Sequence, residues 1–386
     1  MMKKTILFLL SCLTTMGMTA QTWTGTWATA TEYCGDGDMP KTTLSNRAVR
    51  QTVHVSLGGS VLRLQFSNTF CQSPVDIKSV YIADAQEGSD ILPKTARYLT
   101  FGGKKSVTIE SGKTVQSDIV KYALKPLQRL SITINYGERT PKNATGHRGS
   151  RTTSYIMQGE SKPKAAFNVA ETVEHWYNID AIDVETDGKA ECIALLGNSI
   201  TDGRGCTTDR QNRWSDVLAE QLGGQVGVLN LGIGGNCVLQ GGLGQPAVVR
   251  FDRDILGQRG VTRLVIFEGI NDIGGSKNVE KTGRQLISNY EMFIQKAREA
   301  GMKVYLGTIT QLGNTGYWSY YHEACRQTVN EWIRQNKTVD GIIDFDQLLR
   351  DPTQPTRMRA EWQYDWLHPN ADGYQQMGRF AAEVIK

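Results

Sequence analysis

The 386-residue chain reads as two domains, an all-β sandwich of the jelly-roll kind over residues 21–182 and an open parallel α/β sheet over 190–386, joined by a linker over 183–189. Three observations predict this. Up to about Asp180, apolar and polar residues alternate with period two between closely spaced turn signals. After Asp187-Gly188 the rhythm becomes short apolar strand, loop, amphipathic helix. Ahead of both, residues 1–20 carry Lys3 and Lys4, an apolar run from Ile6 to Leu13 and a small-residue exit at Thr19-Ala20. That is the layout of a cleaved secretory signal, too short to span a bilayer.

Export to the periplasm or medium follows, with cleavage after Ala20; the alternative is a lipid anchor at Cys12 in Leu9-Leu10-Ser11-Cys12. The net charge of +4 falls by two when Lys3 and Lys4 leave, because no acidic residue precedes Gln21. Charges are interspersed, which excludes a nucleic-acid partner, and no later apolar run is long enough to cross a membrane. Of seven cysteines, six remain in an oxidising compartment. Cys34/Cys71 and Cys206/Cys237 are the pairs their positions allow as disulfides; the alternative is that most are packed thiols, as Cys192 in a strand and Cys325 on a helix suggest.

In the β half, Val53, Val55 and Leu57 alternate with polar residues, Gly58-Gly59 interrupts, and Leu62, Leu64 and Phe66 resume, which predicts a hairpin with one buried face. Leu130, Ile132, Ile134 and Tyr136 repeat the alternation, and Gly102-Gly103, Ser111-Gly112 and Gly137 mark turns. Trp23, Trp27, Tyr33 and Tyr98 serve either as core aromatics, their commoner use, or as platforms for sugar rings. His147 sits in a glycine-bounded loop and is either solvated, the commoner case, or leaning over the neighbouring active site.

In the second half, strands are expected at Cys192–Leu196, Val226–Leu231, Arg263–Phe267, Lys303–Gly307 and Gly341–Phe345. Their apolar runs suit a parallel sheet covered on both faces. Trp214, Val217, Leu218 and Leu222 form one helical stripe stopped by Gly223-Gly224. Leu286, Ile287, Tyr290, Phe293, Ile294 and Ala297 form another, closed by Gly301, and Asn370 caps a last helix through Ile385.

Four blocks carry chemistry: Gly197-Asn198-Ser199-Ile200, Gly232-Ile233-Gly234-Gly235-Asn236, Glu268-Gly269-Ile270-Asn271-Asp272 and Asp365-Trp366-Leu367-His368. The first three follow the carboxyl ends of successive strands and the fourth enters the last helix, so all reach the sheet edge where ligands of open α/β sheets bind. Ser199 needs a proton acceptor. Of five histidines, only His368 has a carboxylate three residues earlier in a loop beside a helix start, and Asp365 there can hold one ring nitrogen protonated while the other faces the serine. Asp272 reads as closing its own turn.

Together and in this order, the blocks resemble the SGNH superfamily of GDSL-type serine esterases, across roughly the second half of the chain. The resemblance implies a flavodoxin-like five-stranded sheet. It makes Ser199 the nucleophile, His368 the base, Asp365 its orienting acid, and the Ser199 N–H, Gly235 N–H and Asn271 amide the oxyanion donors. One departure is visible: Asn198 stands where the family name implies aspartate, which touches the bracing of the turn rather than the triad.

Trp318, Trp362 and Trp366, with their aromatic neighbours, either wall the site or pack the loops. No metal-ligand spacing and no cofactor motif is present, and no pattern fixes an oligomeric state. The leading expectation is a secreted carboxylic-ester hydrolase removing acetyl or similar short acyl groups from carbohydrate through an acyl-enzyme. The alternatives are a lipase, lysophospholipase or thioesterase on the same triad, and a catalytically inert glycan-binding surface protein.

Overall fold

The computed structural model describes residues 22–386; the expected signal over 1–20, with Lys3, Lys4 and Cys12, lies outside them. Among the described residues no helix is long and apolar enough to cross a membrane.

The N-terminal half folds into antiparallel sheets. One sheet of five strands places Ile179–Thr186 between Thr22–Ala28 and Gly59–Ser67. Another of seven centres on Arg47–His54, Arg129–Tyr136 and Val75–Asp84. Val49, Val53, Ile132 and Ile134 from the second and Leu62, Leu64 and Phe66 from the first share one core, as a side-chain period of two requires of facing sheets. A small sheet of Glu32–Cys34, Ala144–His147 and Trp176–Tyr177 completes the half. Its one helical element is a single 3₁₀ turn at Pro93–Thr95.

The expected hairpin is not there. Arg47–His54 pairs with Arg129–Tyr136 and Ser154–Gln158, while Gly59–Ser67 pairs with Ile179–Thr186, so the chain changes sheets between them. The crossing finds partners elsewhere: Val55 N–H donates to Gln128 O and Ser56 N–H to Thr26 O. Both apolar rows still face inward, because alternation specifies which face is buried and not which strand lies alongside. The strand Ile179–Thr186 also overruns the expected linker, with Asp183–Thr186 laddered to Gly25–Thr22, which shortens the connection to 187–191.

The C-terminal half is a parallel sheet of five strands in the order Gly227–Gly232, Cys192–Gly197, Arg263–Phe267, Lys303–Gly307, Gly341–Ile343. Every residue of Cys192–Gly197 is buried, as it must be in a strand covered on both faces. The last strand ends at Ile343, short of Phe345, because the Asp344 side chain accepts the Gln347 N–H and caps a helix over Phe345–Leu349. Strand order reverses at Cys192–Gly197, which opens a crevice at the carboxyl ends of the first three strands in chain order.

The β half covers the Gly227–Gly232 edge of this sheet. Thr29 bridges Asn230 in parallel, Val228 N–H donates to Ser56 Oγ at 2.9 Å, and His54 Nδ1 meets Asp216 at 2.8 Å. All six cysteines of the described residues are free thiols, so neither Cys34/Cys71 nor Cys206/Cys237 is bridged. For Cys206 and Cys237, loops that converge on one sheet edge do not thereby bring two Cα atoms to the roughly 5.5 Å a disulfide needs.

Candidate active site

The strand Cys192–Gly197 ends directly beneath a one-turn helix, Ser199–Asp202. Asn198 caps it, its side chain accepting the Ile200 N–H at 3.0 Å, and Gly203 ends it at φ 102°. Ser199 stands at the head of the turn, and its Oγ lies 2.7 Å from His368 Nε2. His368 Nδ1 is 2.9 Å from both Asp365 oxygens, and the backbone N–H groups of His368 and Leu367 donate to Asp365 Oδ1 at 2.8 and 3.1 Å. An ionised carboxylate only accepts, so Nδ1 carries the proton and Nε2 is left bare toward the serine hydroxyl.

The electrostatics agree with that assignment. Burial pushes the His368 imidazolium down, outweighing the pull of Asp365, and Arg204 and Arg151 lower it further. His368 is therefore neutral at neutral pH. For Asp365, burial pushes upward, but hydrogen bonds from the His368 backbone and ring hold the carboxyl below its usual range.

Three N–H groups border the same cleft of about 320 Å³. Ser199 N–H opens its helix and so has no intrahelical acceptor. Gly235 sits at φ 69°, a left-handed conformation that glycine adopts without strain, and among the described residues its N–H has no protein acceptor. Asn271 gives one amide hydrogen to Asn236 O at 2.8 Å and accepts from Tyr317 O–H at 3.1 Å, which fixes its plane and leaves its second amide hydrogen open to the cleft.

A model of the GDSL-like lipase/acylhydrolase family matches residues 195–376. The chain carries a GDSL-like lipase/acylhydrolase domain. Solved structures resembling it include a member of the lipolytic protein G-D-S-L family from Veillonella parvula, 20% identical over 51% of this chain and 98% of that one, TM-score 0.39. The psychrotrophic esterase EstA from Pseudoalteromonas sp. is 21% identical over 50% and 96%, TM-score 0.38. The acetyl xylan esterase AlAXEase is 18% identical over 50% and 100%, TM-score 0.38. No curated protein matches the chain.

The acylhydrolase domain explains its own departure at Asn198. The Asn198 amide donates to Glu268 Oε2 at 3.0 Å, and burial pushes the Glu268 carboxyl up to about 8. An aspartate at 198 would replace that amide donor with a second buried carboxyl, which could pair with Glu268 only by sharing a proton.

Several residues brace the site through partners the sequence did not indicate. His147, expected in solvent, is buried: its Nδ1 donates to Ala30 O at 3.0 Å and its Nε2 meets Asp202 Oδ1 at 2.8 Å. Arg151 reaches the other Asp202 oxygen at 2.5 Å, so two basic side chains of the β half hold the far end of the helix that Ser199 heads. Gly149 permits this approach, since a Cβ there would stand 2.3 Å from the Asp202 carboxylate. Arg250, wholly buried, donates to Gly197 O and Leu231 O at 3.0 and 2.8 Å and to the Asn236 side chain at 3.0 Å, tying together the strand ends that present Ser199 and Gly235. Asp272 does not close its own turn alone: it accepts the N–H groups of Val238 and Leu239 at 2.8 and 2.9 Å, fastening the loop after Gly235.

Of the two uses open to the loop tryptophans, packing against other side chains is the one seen. Trp318, Trp362 and Trp366 do not line the cleft; Tyr317 and Leu367, the sequence neighbours of Trp318 and Trp366, do. Trp318 packs edge-on to Tyr320, and the guanidinium groups of Arg359 and Arg357 lie over Trp362 and Trp366. In the β half, Trp27 is core, edge-on to Trp176, while Tyr33 is exposed.

Proposed function

We propose that this chain is an exported serine ester hydrolase that works through an acyl-enzyme and removes acetyl or other short acyl groups from carbohydrate. Ser199 Oγ attacks the ester carbonyl carbon while its proton passes to His368 Nε2. Asp365 holds the resulting imidazolium in place, and the carbonyl oxygen, now an anion, takes hydrogen bonds from Ser199 N–H, Gly235 N–H and the Asn271 amide. Collapse breaks the bond to the alcohol oxygen, which leaves with the proton from His368. A water, deprotonated by the same nitrogen, then releases the acid and restores Ser199.

The observation that carries this reading is the unbroken line from Asp365 through His368 to Ser199, with contacts of 2.9 and 2.7 Å. A short acyl group is supported by the walls beside the donors, where the Leu243 side chain lies against Gly235 and Tyr317 against Gly274. A carbohydrate alcohol is supported by the signal-like N-terminus and by the polar residues, Glu32, Arg148 and His175, that the β half contributes to the cleft. In this reading residues 1–20 are removed and the two domains meet at 187–191. The test is hydrolysis of p-nitrophenyl acetate by wild type and Ser199→Ala. The variant is expected to lose the activity; undiminished turnover would remove Ser199 from the role of nucleophile.

A further inference from the structure

Two clefts meet at the oxyanion donors. The one that holds Ser199 and His368 measures about 320 Å³, and a second, of about 750 Å³, opens beyond Gly235 and Asn271. Gly235, Asn271 and Tyr317 border both, so together they form one trough with the donors at its waist. Each volume lies within the roughly 300–1,000 Å³ of ligand-binding clefts.

The chemistry of the walls restricts what fills it. The larger cleft is bordered by Gln240, Asn278, Lys281, Gln285 and Asn289, the last four from the cap and body of the helix Val279–Glu299. These are amides and ammonium groups. An alkyl chain laid along them would strip their water and return no hydrogen bonds, whereas sugar hydroxyls both donate and accept. At the other end the β half offers the same mixture. Arg148 spends Nη2 on Glu32 at 2.6 Å, and no partner for its Nη1 exists among the described residues. His175 donates Nδ1–H to Arg148 O at 2.7 Å, which leaves Nε2 as an acceptor beside the cleft.

We infer that the trough binds several consecutive sugar units of a polysaccharide across Ser199, with Lys281, Gln285 and Asn289 holding the far units and Arg148 and His175 the near ones. This rests on the reading of Ser199 as the nucleophile of an acetyl-carbohydrate esterase and deepens it: the substrate is an oligomer or polymer, and neither a lone sugar nor a long acyl chain. It also gives the β half a direct part in substrate choice.

The test uses the full chain with Lys281→Ala/Gln285→Ala, two exposed positions whose loss leaves the helix intact. In wild type, kcat/KM is expected to rise from acetylated monosaccharide to acetylated oligosaccharides. The double variant should lower the ratio of kcat/KM on acetylated xylan to that on p-nitrophenyl acetate by about tenfold, the scale of two lost hydrogen bonds. In the Ser199→Ala background, affinity electrophoresis in acetylated xylan and acetylated mannan should show retention that the double variant weakens. Equal kcat/KM for monosaccharide and oligosaccharide, or retention that the double variant leaves intact, overturns the trough. So does an activity that climbs from aryl acetate to aryl octanoate and is lost in the double variant, since that assigns the far cleft to an acyl chain. A wild type inert toward aryl acetate whose Ser199→Ala form still binds through Gln285 defeats the catalytic reading and keeps the trough.

Discussion

Asp202→Ala removes the anion on which the nucleophile helix and the β half meet. Asp202 and His147 are almost wholly buried and 2.8 Å apart, with Arg151 2.5 Å from the other oxygen. At an effective dielectric of about 20 the first pair alone attracts by roughly 6 kcal/mol, most of it offset by the water both groups have lost. The substitution does not restore that water; it strands the Arg151 guanidinium and leaves a buried His147 ring that must shed its proton. Breaking a buried pair in this way costs about 3–5 kcal/mol, a large part of the roughly 5–15 kcal/mol that holds a domain together.

Urea unfolding should therefore give a midpoint far below wild type with an unchanged slope, and kcat on aryl acetate should fall in the folded variant, because Ser199 heads the same helical turn. A pH series isolates the histidine. Burial pushes His147 down, but Asp202 more than compensates and leaves it raised. A raised folded value contributes stability that is complete below the unfolded value of about 6.5 and disappears as pH climbs through the folded one. The gap in unfolding free energy between wild type and His147→Gln should thus be widest below pH 6.5 and close on the alkaline side. An Asp202→Ala protein within about 1 kcal/mol of wild type, against the 3–5 expected for a stranded charge, or a gap that widens as pH rises, would refute this account.

Two further outcomes follow from the site itself. Asn271→Ala deletes one oxyanion donor and should lower kcat by about 10²–10³ with little change in KM; a loss under about tenfold would take Asn271 out of the donor set. Because a protonated imidazole cannot accept the serine proton, kcat/KM should fall on the acid side with an apparent pKa below the ordinary value of about 6.5, as the depressed His368 requires. Arg204→Ala, which removes a cation 3.8 Å from Asp365, should move that limb upward, and a downward move would contradict the assignment.

The contrast between what was legible and what was not has a physical origin. The parallel strands, the helical stripes and the arrival of Ser199, Gly235, Asn271 and His368 at one sheet edge were all readable, because burial on both faces writes continuous apolar runs and topology then determines where the following loops go. The false hairpin came from the same rule applied one step too far. Val53–Leu57 and Leu62–Phe66 each show which side is dry, but the partner of a strand depends on residues over a hundred positions away, as Ile179–Thr186 illustrates. Arg250, and the partner of His147, failed to register for a related reason. A charged side chain in the interior is satisfied by particular oxygens, here on Asp202, Gly197 and Leu231, and no local pattern announces an acceptor that is distant in sequence. Since those acceptors belong to the nucleophile helix and to the strand ends beneath the donors, the residues hidden from sequence reading are the ones that hold the visible residues in register. The β half thereby braces the turn that Ser199 heads, and the C-terminal half separated from it would lose His147 and Arg151 from Asp202 at the end of that turn.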